Sequence, residues 1–179
     1  TGASREAVAM TAIVTERLSL EPQVAAHAEE MFRVLADPAI YEHENEPPPS
    51  VEWLRERYRK LESRRSPDGR EQWLNWVLRL GASEAIGYVQ ATVHEDGRAL
   101  IAYELSSRYW GRGLAQEAVR AMIAELARGH GVGRLAAVLK ASNGRSQRLL
   151  DRLGFVPASP GLHEELRVEP DELLMVREA

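Results

Sequence analysis

The sequence predicts a single α/β domain, built on a mixed, mostly antiparallel central sheet with helices on both faces. Two observations carry this reading. Three strand-like runs, at about 72–80, 85–94 and 100–105, are joined by the short turn sequences Gly81-Ala82-Ser83-Glu84 and Asp96-Gly97, which gives an antiparallel meander. The last run then passes through a turn holding two glycines into an amphipathic helix and a further apolar run at 134–139, a strand–helix–strand crossover. The 179 residues fit one domain, since domains hold about 100–200 residues.

Taken in order, Ile13 to Leu20 alternates as a strand. Pro22 suits a first helical turn, and Val24, Ala28, Met31, Phe32 and Leu35 mark an amphipathic helix that ends before Asp37-Pro38. An irregular segment with three consecutive prolines, Pro47 to Pro49, follows. Ser50 is an N-cap for a second helix carrying Trp53, Leu54, Arg57, Tyr58 and Leu61. In the first meander strand Trp73, Asn75, Val77 and Arg79 alternate against Leu74, Trp76, Leu78 and Leu80. The crossover helix begins at about Leu114; Ala115, Ala118, Val119, Met122 and Leu126 form its buried face, and Gly129 and Gly131 supply the stop. Ser142 or Asn143 starts a last helix with Leu149, Leu150 and Leu153 inward, stopped by Gly154. Phe155 to Pro157 and Leu173 to Arg177 read as short strands, while Gly161 to Glu165 and Asp171-Glu172 read as loop.

Composition excludes several chemistries. There is no cysteine, so disulfides, thiolate metal sites and a cysteine nucleophile are ruled out. The five histidines show no metal-ligand spacing, and no metal site is expected. A formal net charge of −4 disfavours nucleic acid and anionic membranes as partners, although nearly all of the basic charge is arginine. No apolar run approaches a membrane span and no secretory leader is evident, so a cytoplasmic location is expected. The opening Thr1 to Ala9 precedes Met10 and is read as an extension, which places the domain at 10–179.

The stretch Tyr103-Glu104-Leu105-Ser106-Ser107-Arg108-Tyr109-Trp110-Gly111-Arg112-Gly113 carries the functional signal. A strand running through a glycine turn into a helix is a ready anion site, because the first helical N–H groups lack partners and glycine lets a phosphate approach the backbone. The same turn is also an ordinary connection in many folds. A dinucleotide fingerprint would need glycine where Gln116 stands, and no Gly-Lys-Ser/Thr triphosphate loop is present. What remains is Arg108-x-x-Gly111-x-Gly113-x-Ala115, followed by Asn143-x-x-Ser146 and Gly154-Phe155. Together these resemble the acyl-CoA-binding signature of the GCN5-related N-acetyltransferase (GNAT) superfamily. Tyr103-Glu104-Leu105 through Gly111, with Glu16-Arg17-Leu18 in the first strand, is similar to its ribosomal-protein N-terminal acetyltransferase (Rim-type) branch.

The resemblance implies a GNAT-like fold and an acetyl-CoA-dependent N-acetyltransferase acting on a primary amine, whether a protein N-terminus or a small molecule. It implies acetyl-CoA as co-substrate, no metal, and a pyrophosphate cradle from Trp110, Gly111, Arg112, Gly113, Leu114 and Ala115, with charge from Arg108 and Arg112. A backbone N–H around Leu105 or Ser106 would serve the thioester oxygen, and Asn143 would hold the pantetheine arm or fix the local backbone. Glu104, a charge in an otherwise apolar strand, is the candidate general base; its bland reading is a structural carboxylate paired with an arginine. Glu42 and His43, in the loop that borders the acceptor cleft of the resembled fold, are substrate-binding candidates and rival bases; read from the residues alone, they lie in a solvated loop. Many GNAT enzymes carry a tyrosine acid seven residues beyond the motif asparagine, where this chain has Leu150, so Ser146 is the substitute proton donor. A homodimer is compatible with the resemblance. The alternative reading is a catalytically silent CoA-binding regulatory module.

Overall fold

The computed structural model describes residues 8–179. Of the expected extension, residues 1–7 lie outside the described residues, whereas Val8 packs against the core and its carbonyl accepts from Arg64 Nη1 at 2.8 Å. The first expected strand is split in two, β1 (Ile13–Val14) and β2 (Leu18–Pro22). The Thr15 N–H donates to the Leu18 carbonyl at 2.8 Å and folds the chain into a hairpin between them. Pro22, expected in a helix, instead closes β2, and Gln23 N continues the ladder by donating to the Asn75 carbonyl at 2.9 Å. A 3-10 turn at Ala25–His27 then leads into α1 (Ala28–Val34), and a second one spans Pro38–Tyr41.

Helix α2 (Val51–Leu61) is capped as its sequence predicts, with Ser50 Oγ accepting from Trp53 N at 3.0 Å. The meander is β3 (Gln72–Leu80), β4 (Ala85–Val93) and β5 (Arg98–Leu105). After the glycine turn come α3 (Leu114–Gly129), β6 (Arg134–Lys140), α4 (Gly144–Arg152) and β7 (Val156–Pro157). A short α5 (Pro160–Glu165) occupies the stretch read as loop, and β8 (Glu172–Glu178) takes in Glu172, also read as loop. Helix α5 has six residues and none of them is buried, so it offers no apolar period to detect, although Ser159 caps it and Pro160 opens it.

The eight strands form one sheet in the order β1-β2-β3-β4-β5-β6-β8-β7, antiparallel except where β5 meets β6. The alternation read along β3 sorts the two faces. Leu74, Trp76 and Leu78 join the larger core with α3 and α4, whereas Val77 joins α1 and α2 on the other side. Helix α3 buries Ala118, Val119, Met122 and Leu126 against the sheet, the face its spacing predicts, while Ala115 is half-buried beside the glycine turn.

The candidate active site

Strands β5 and β6 pair only over Arg98–Leu100 against Arg134–Ala136, although β5 runs on to Leu105 and β6 to Lys140. Beyond Leu100 the two separate. A cavity of about 440 Å³ fills the gap, lined from β5 by Tyr103, Glu104 and Leu105 and from α4 and its cap by Asn143, Arg145 and Ser146. The start of α3 opens onto it through Gly113, Leu114, Ala115 and Gln116. Gly113 is the N-cap in the left-handed region at φ 74°, and no side chain caps the helix. The first N–H groups of a sixteen-residue helix therefore lack a side-chain partner beside the cavity, while a Cβ at Gly113 would lie 3.5 Å from Arg17 Nη2 and one at Gly111 would meet nothing within 4 Å.

The turn itself is pinned from behind. Arg17 Nη1 donates to the Arg112 carbonyl at 2.8 Å, and Arg17 Nε pairs with Glu117 at 2.8 Å. Arg108 and Arg112 stand exposed at the rim, over the ring of Tyr109 at 5.8 and 5.5 Å from its centroid, and do not line the cavity. Inside it, Arg145 lies over the ring of Trp110, 3.2 Å from the centroid, and Trp110 Nε1 donates to the Leu105 carbonyl at 2.9 Å. Trp110 thereby ties the glycine turn to the end of β5.

At that strand end the two N–H groups expected to serve a thioester, those of Leu105 and Ser106, have different partners. The Ser106 N–H is consumed by the Ile86 carbonyl at 2.8 Å. The alternation of an antiparallel ladder turns the neighbouring Leu105 N–H the other way, toward the gap beside β6. There it donates to Oε1 of Glu104 at 3.2 Å. Gly87 on β4 makes this geometry available, because a Cβ there would stand 2.1 Å from the Glu104 carbonyl oxygen.

A second cavity, of about 720 Å³, lies on the α1/α2 face of the sheet. Its floor follows the ladder: Tyr88 opposite Glu104, Gln90 opposite Asn75 and Ala102, then Thr92 opposite Trp73. Glu104 lines both cavities, in company with Ile40, Glu44, Asn45, Tyr88 and Ala102. Burial pushes its carboxyl up to about 7; the Leu105 N–H and Arg145 act against that, and Asp37 and Glu44 add to it. No arginine pairs with it directly among the described residues.

The other predicted residues fall as follows. Asn143 caps α4, its Oδ1 accepting from Ser146 N at 3.2 Å, so it fixes local backbone. The Ser146 hydroxyl bonds the Tyr103 hydroxyl at 2.5 Å. Leu150 is fully buried behind them. His43 borders the β5/β6 cavity, tied by Nδ1 to Ser142 Oγ at 2.9 Å. Glu42 points to solvent outside both cavities, while Glu44 and Glu46 of the same loop line the second one. That loop hangs on Asp37, whose Oδ2 accepts from Ser107 N at 2.8 Å; burial opposes the charge, but its hydrogen bonds to Ser107 and Ala39 outweigh this and hold the carboxyl below its usual range.

Sequence reasoning did not single out Tyr103, Arg145, Asp37, Gly87, Tyr58 or Tyr88. Gly87 carried a usable signal, since a glycine inside a strand marks a close backbone approach. Tyr103 stood inside the quoted motif, but only the fold brings α4 to its hydroxyl. Among the described residues there is no cluster of metal-ligating side chains and no helix long and apolar enough to cross a membrane.

Residues 17–156 match the family model described as the acetyltransferase (GNAT) domain. An uncharacterised N-acetyltransferase, p20, of Bacillus licheniformis is 28% identical over 149 residues, covering 82% of this chain and 83% of its own. An acetyltransferase structure from Thermus thermophilus is 25% identical with a TM-score of 0.71, covering 94% of this chain and all of its own. RimL, a ribosomal L7/L12 α-N-protein acetyltransferase solved with coenzyme A, shares the fold at a TM-score of 0.76 and 16% identity, over 93% of this chain and 96% of its own.

Proposed function

The chain belongs to the GNAT acetyltransferase family, and from that premise we propose that it uses acetyl-CoA to acetylate a primary amine held in the cavity on the α1/α2 face. The observation that carries this reading is the placement of Glu104. One carboxylate with a pKa near 7 stands where the two cavities meet, one open to an uncapped helix N-terminus and the other broad enough for a small-molecule amine or the end of a chain. The coenzyme bound by RimL supports the assignment of the β5/β6 cavity.

Acetyl-CoA, when bound, supplies an acetyl group activated as a thioester. The N–H groups at the start of α3 hold the pyrophosphate, and Arg108 and Arg112 at the rim add charge. The Leu105 N–H, released from Glu104, donates to the carbonyl oxygen as negative charge builds there. Glu104 takes the proton from the ammonium so that the nitrogen lone pair is free to attack; a carboxylate near pKa 7 is matched to that task at neutral pH. As the C–N bond forms and the C–S bond breaks, the sulfur takes a proton from Ser146, which Tyr103 backs through their shared hydrogen bond, and Ser146 regains a proton by way of solvent as the nitrogen sheds its second proton to become the amide. Burial pushes the Tyr103 hydroxyl up to about 12, so it holds its proton at neutral pH. His43, the rival base, lies on the coenzyme side with one ring nitrogen already engaged.

The test is release of free thiol from acetyl-CoA with a panel of amines. Amine-dependent release that is lost in Glu104→Gln is the expected result. Coenzyme binding without release for any amine would point to a silent CoA-binding module instead.

A further inference from the structure

Resting on the transferase reading, we infer that the acceptor is a primary amine carried on an aromatic or other planar apolar body, in preference to a polyamine, an aminosugar or a peptide end. The chain holds eleven aromatic residues. Five of them, Tyr41, Trp53, Tyr58, Trp73 and Tyr88, line the acceptor cavity. Pro47, Pro48 and Pro49 complete a wall that has no N–H to offer a hydroxyl-rich ligand.

The lining is also polarised along the sheet. Glu104 and Tyr88 share one cross-strand row, with Glu44 beside them. Trp73 and Thr92 lie four residues further along β4, about 13 Å at the rise of an extended strand. Among the described residues, the acidic groups facing the cavity are Glu44, Glu46 and Glu104, against the single cation Arg57, whose guanidinium is 6.0 Å from the centroid of the Trp53 ring. An ammonium is therefore drawn to one end, and what it is attached to meets rings.

The hydroxyls support this placement. Neither Tyr58 nor Tyr88 has a hydrogen-bond partner for its hydroxyl among the described residues, and neither hydroxyl is sealed from the cavity. Tyr88, beside Glu104, is placed to accept from the ammonium and hold it in line with the carboxylate. A polyamine would instead need anionic or carbonyl groups spaced along the cavity, where Trp53 and Trp73 stand. An aminosugar would need a dense set of donors and acceptors.

The experiment compares 4-phenylbutylamine and 2-(indol-3-yl)ethylamine with octylamine, spermidine, kanamycin and an alanine-first tetrapeptide, reading thiol release as kcat/KM. The arylalkylamines should exceed octylamine at least tenfold, in line with the gain from stacking on more than one ring. Trp73→Leu, and separately the half-exposed Trp53→Leu, should shrink that ratio several-fold while the KM for acetyl-CoA stays within twofold. Preference for spermidine, kanamycin or the peptide, or an aryl-to-alkyl ratio near one in the native protein, overturns the inference while leaving the transferase reading intact. If no amine releases thiol, the transferase reading fails; titration of 4-phenylbutylamine followed by tryptophan fluorescence then decides the pocket's preference, saturable binding tighter than that of octylamine upholding it and equal or absent binding overturning it.

Discussion

Glu104→Gln separates a catalytic carboxylate from a structural one, because the two roles move stability in opposite directions. Burial raises the folded-state pKa from 4.5 to about 7, so ionised Glu104 is a cost to the fold. The sign follows from linkage. Below pH 4.5 the group is protonated in both states and costs nothing; as pH rises from 4.5 to 7, the unfolded chain ionises more readily and stability is lost. That rise, at about 1.36 kcal/mol per pH unit, sets an upper bound of about 3 kcal/mol above pH 7. The glutamine side chain keeps the shape and cannot ionise, so the variant should melt several degrees higher at pH 8 and nearly level with the native protein at pH 4.5. Turnover should fall about 10²- to 10⁴-fold, the usual worth of general-base help. In the native protein kcat/KM should rise through an apparent pKa near 7, and the variant should lose that limb while gaining rate at high pH, where solution deprotonates the amine. Acetyl-CoA affinity should hardly change. Scanning calorimetry at the two pH values and pH–rate profiles are the assays. A variant that melts lower at pH 8 and keeps its turnover would refute the reasoning, since that is the signature of a structural carboxylate.

Five other substitutions probe the remaining parts. Tyr103→Phe and Ser146→Ala should each lower kcat about tenfold without raising the KM for acetyl-CoA, and the double variant should fall well short of the product of the two losses, because the hydroxyls act as a pair; multiplicative losses would mean independent roles. Leu150→Met should retain most activity, since volume is conserved at a fully buried site and no proton is handled there; a hundredfold drop in turnover at unchanged stability would contradict it. Gly113→Ala should cost about 1 kcal/mol for its left-handed backbone and weaken acetyl-CoA binding at least tenfold by titration calorimetry; unchanged affinity would remove the glycine turn from the cradle. Gly87→Ala should displace the end of β5 and collapse kcat far more than coenzyme affinity; native turnover would show that the Leu105 N–H needs no such precision.

Much of the fold was legible because the chain is locally consistent. Along β3 every second residue belongs to the same face, and the structure keeps that division, with Trp76 and Leu78 under α3 and Val77 under α1 and α2. Ser50 and the spacing 54–58 fixed α2 in the same way. The misses have local causes. Helix α5 buries nothing, and Pro22 has a φ that suits a strand end as well as a helix start. Tertiary pairing with β3 decides between those two, and no window of sequence contains it.

The site was legible only as far as it is contiguous. Tyr103 to Ala115 is one run of chain, so its glycines and its carboxylate could be named. What gives them a function is the separation of β5 from β6, and that arises from each strand's outer neighbour. Strand β6 keeps seven register partners on β8, from Arg134 against Glu178 to Lys140 against Glu172, and only three on β5. Strand β5 stays on β4 to its end, held there by the Ser106–Ile86 hydrogen bond and by the missing Cβ of Gly87. The two inner edges are thus drawn apart and their N–H groups are left facing a gap. An unpaired strand edge inside a protein is ordinarily a fault to be covered. Here it leaves the Leu105 N–H bonded to the Glu104 side chain in place of a neighbouring strand, and the loop on Asp37 that overhangs it brings Glu44 to the same point from the opposite face. The segments that meet at Glu104 come from five parts of the chain, 37–46, 87–88, 102–105, 110–116 and 143–146, which is why one of them could be recognised in the sequence and their convergence could not.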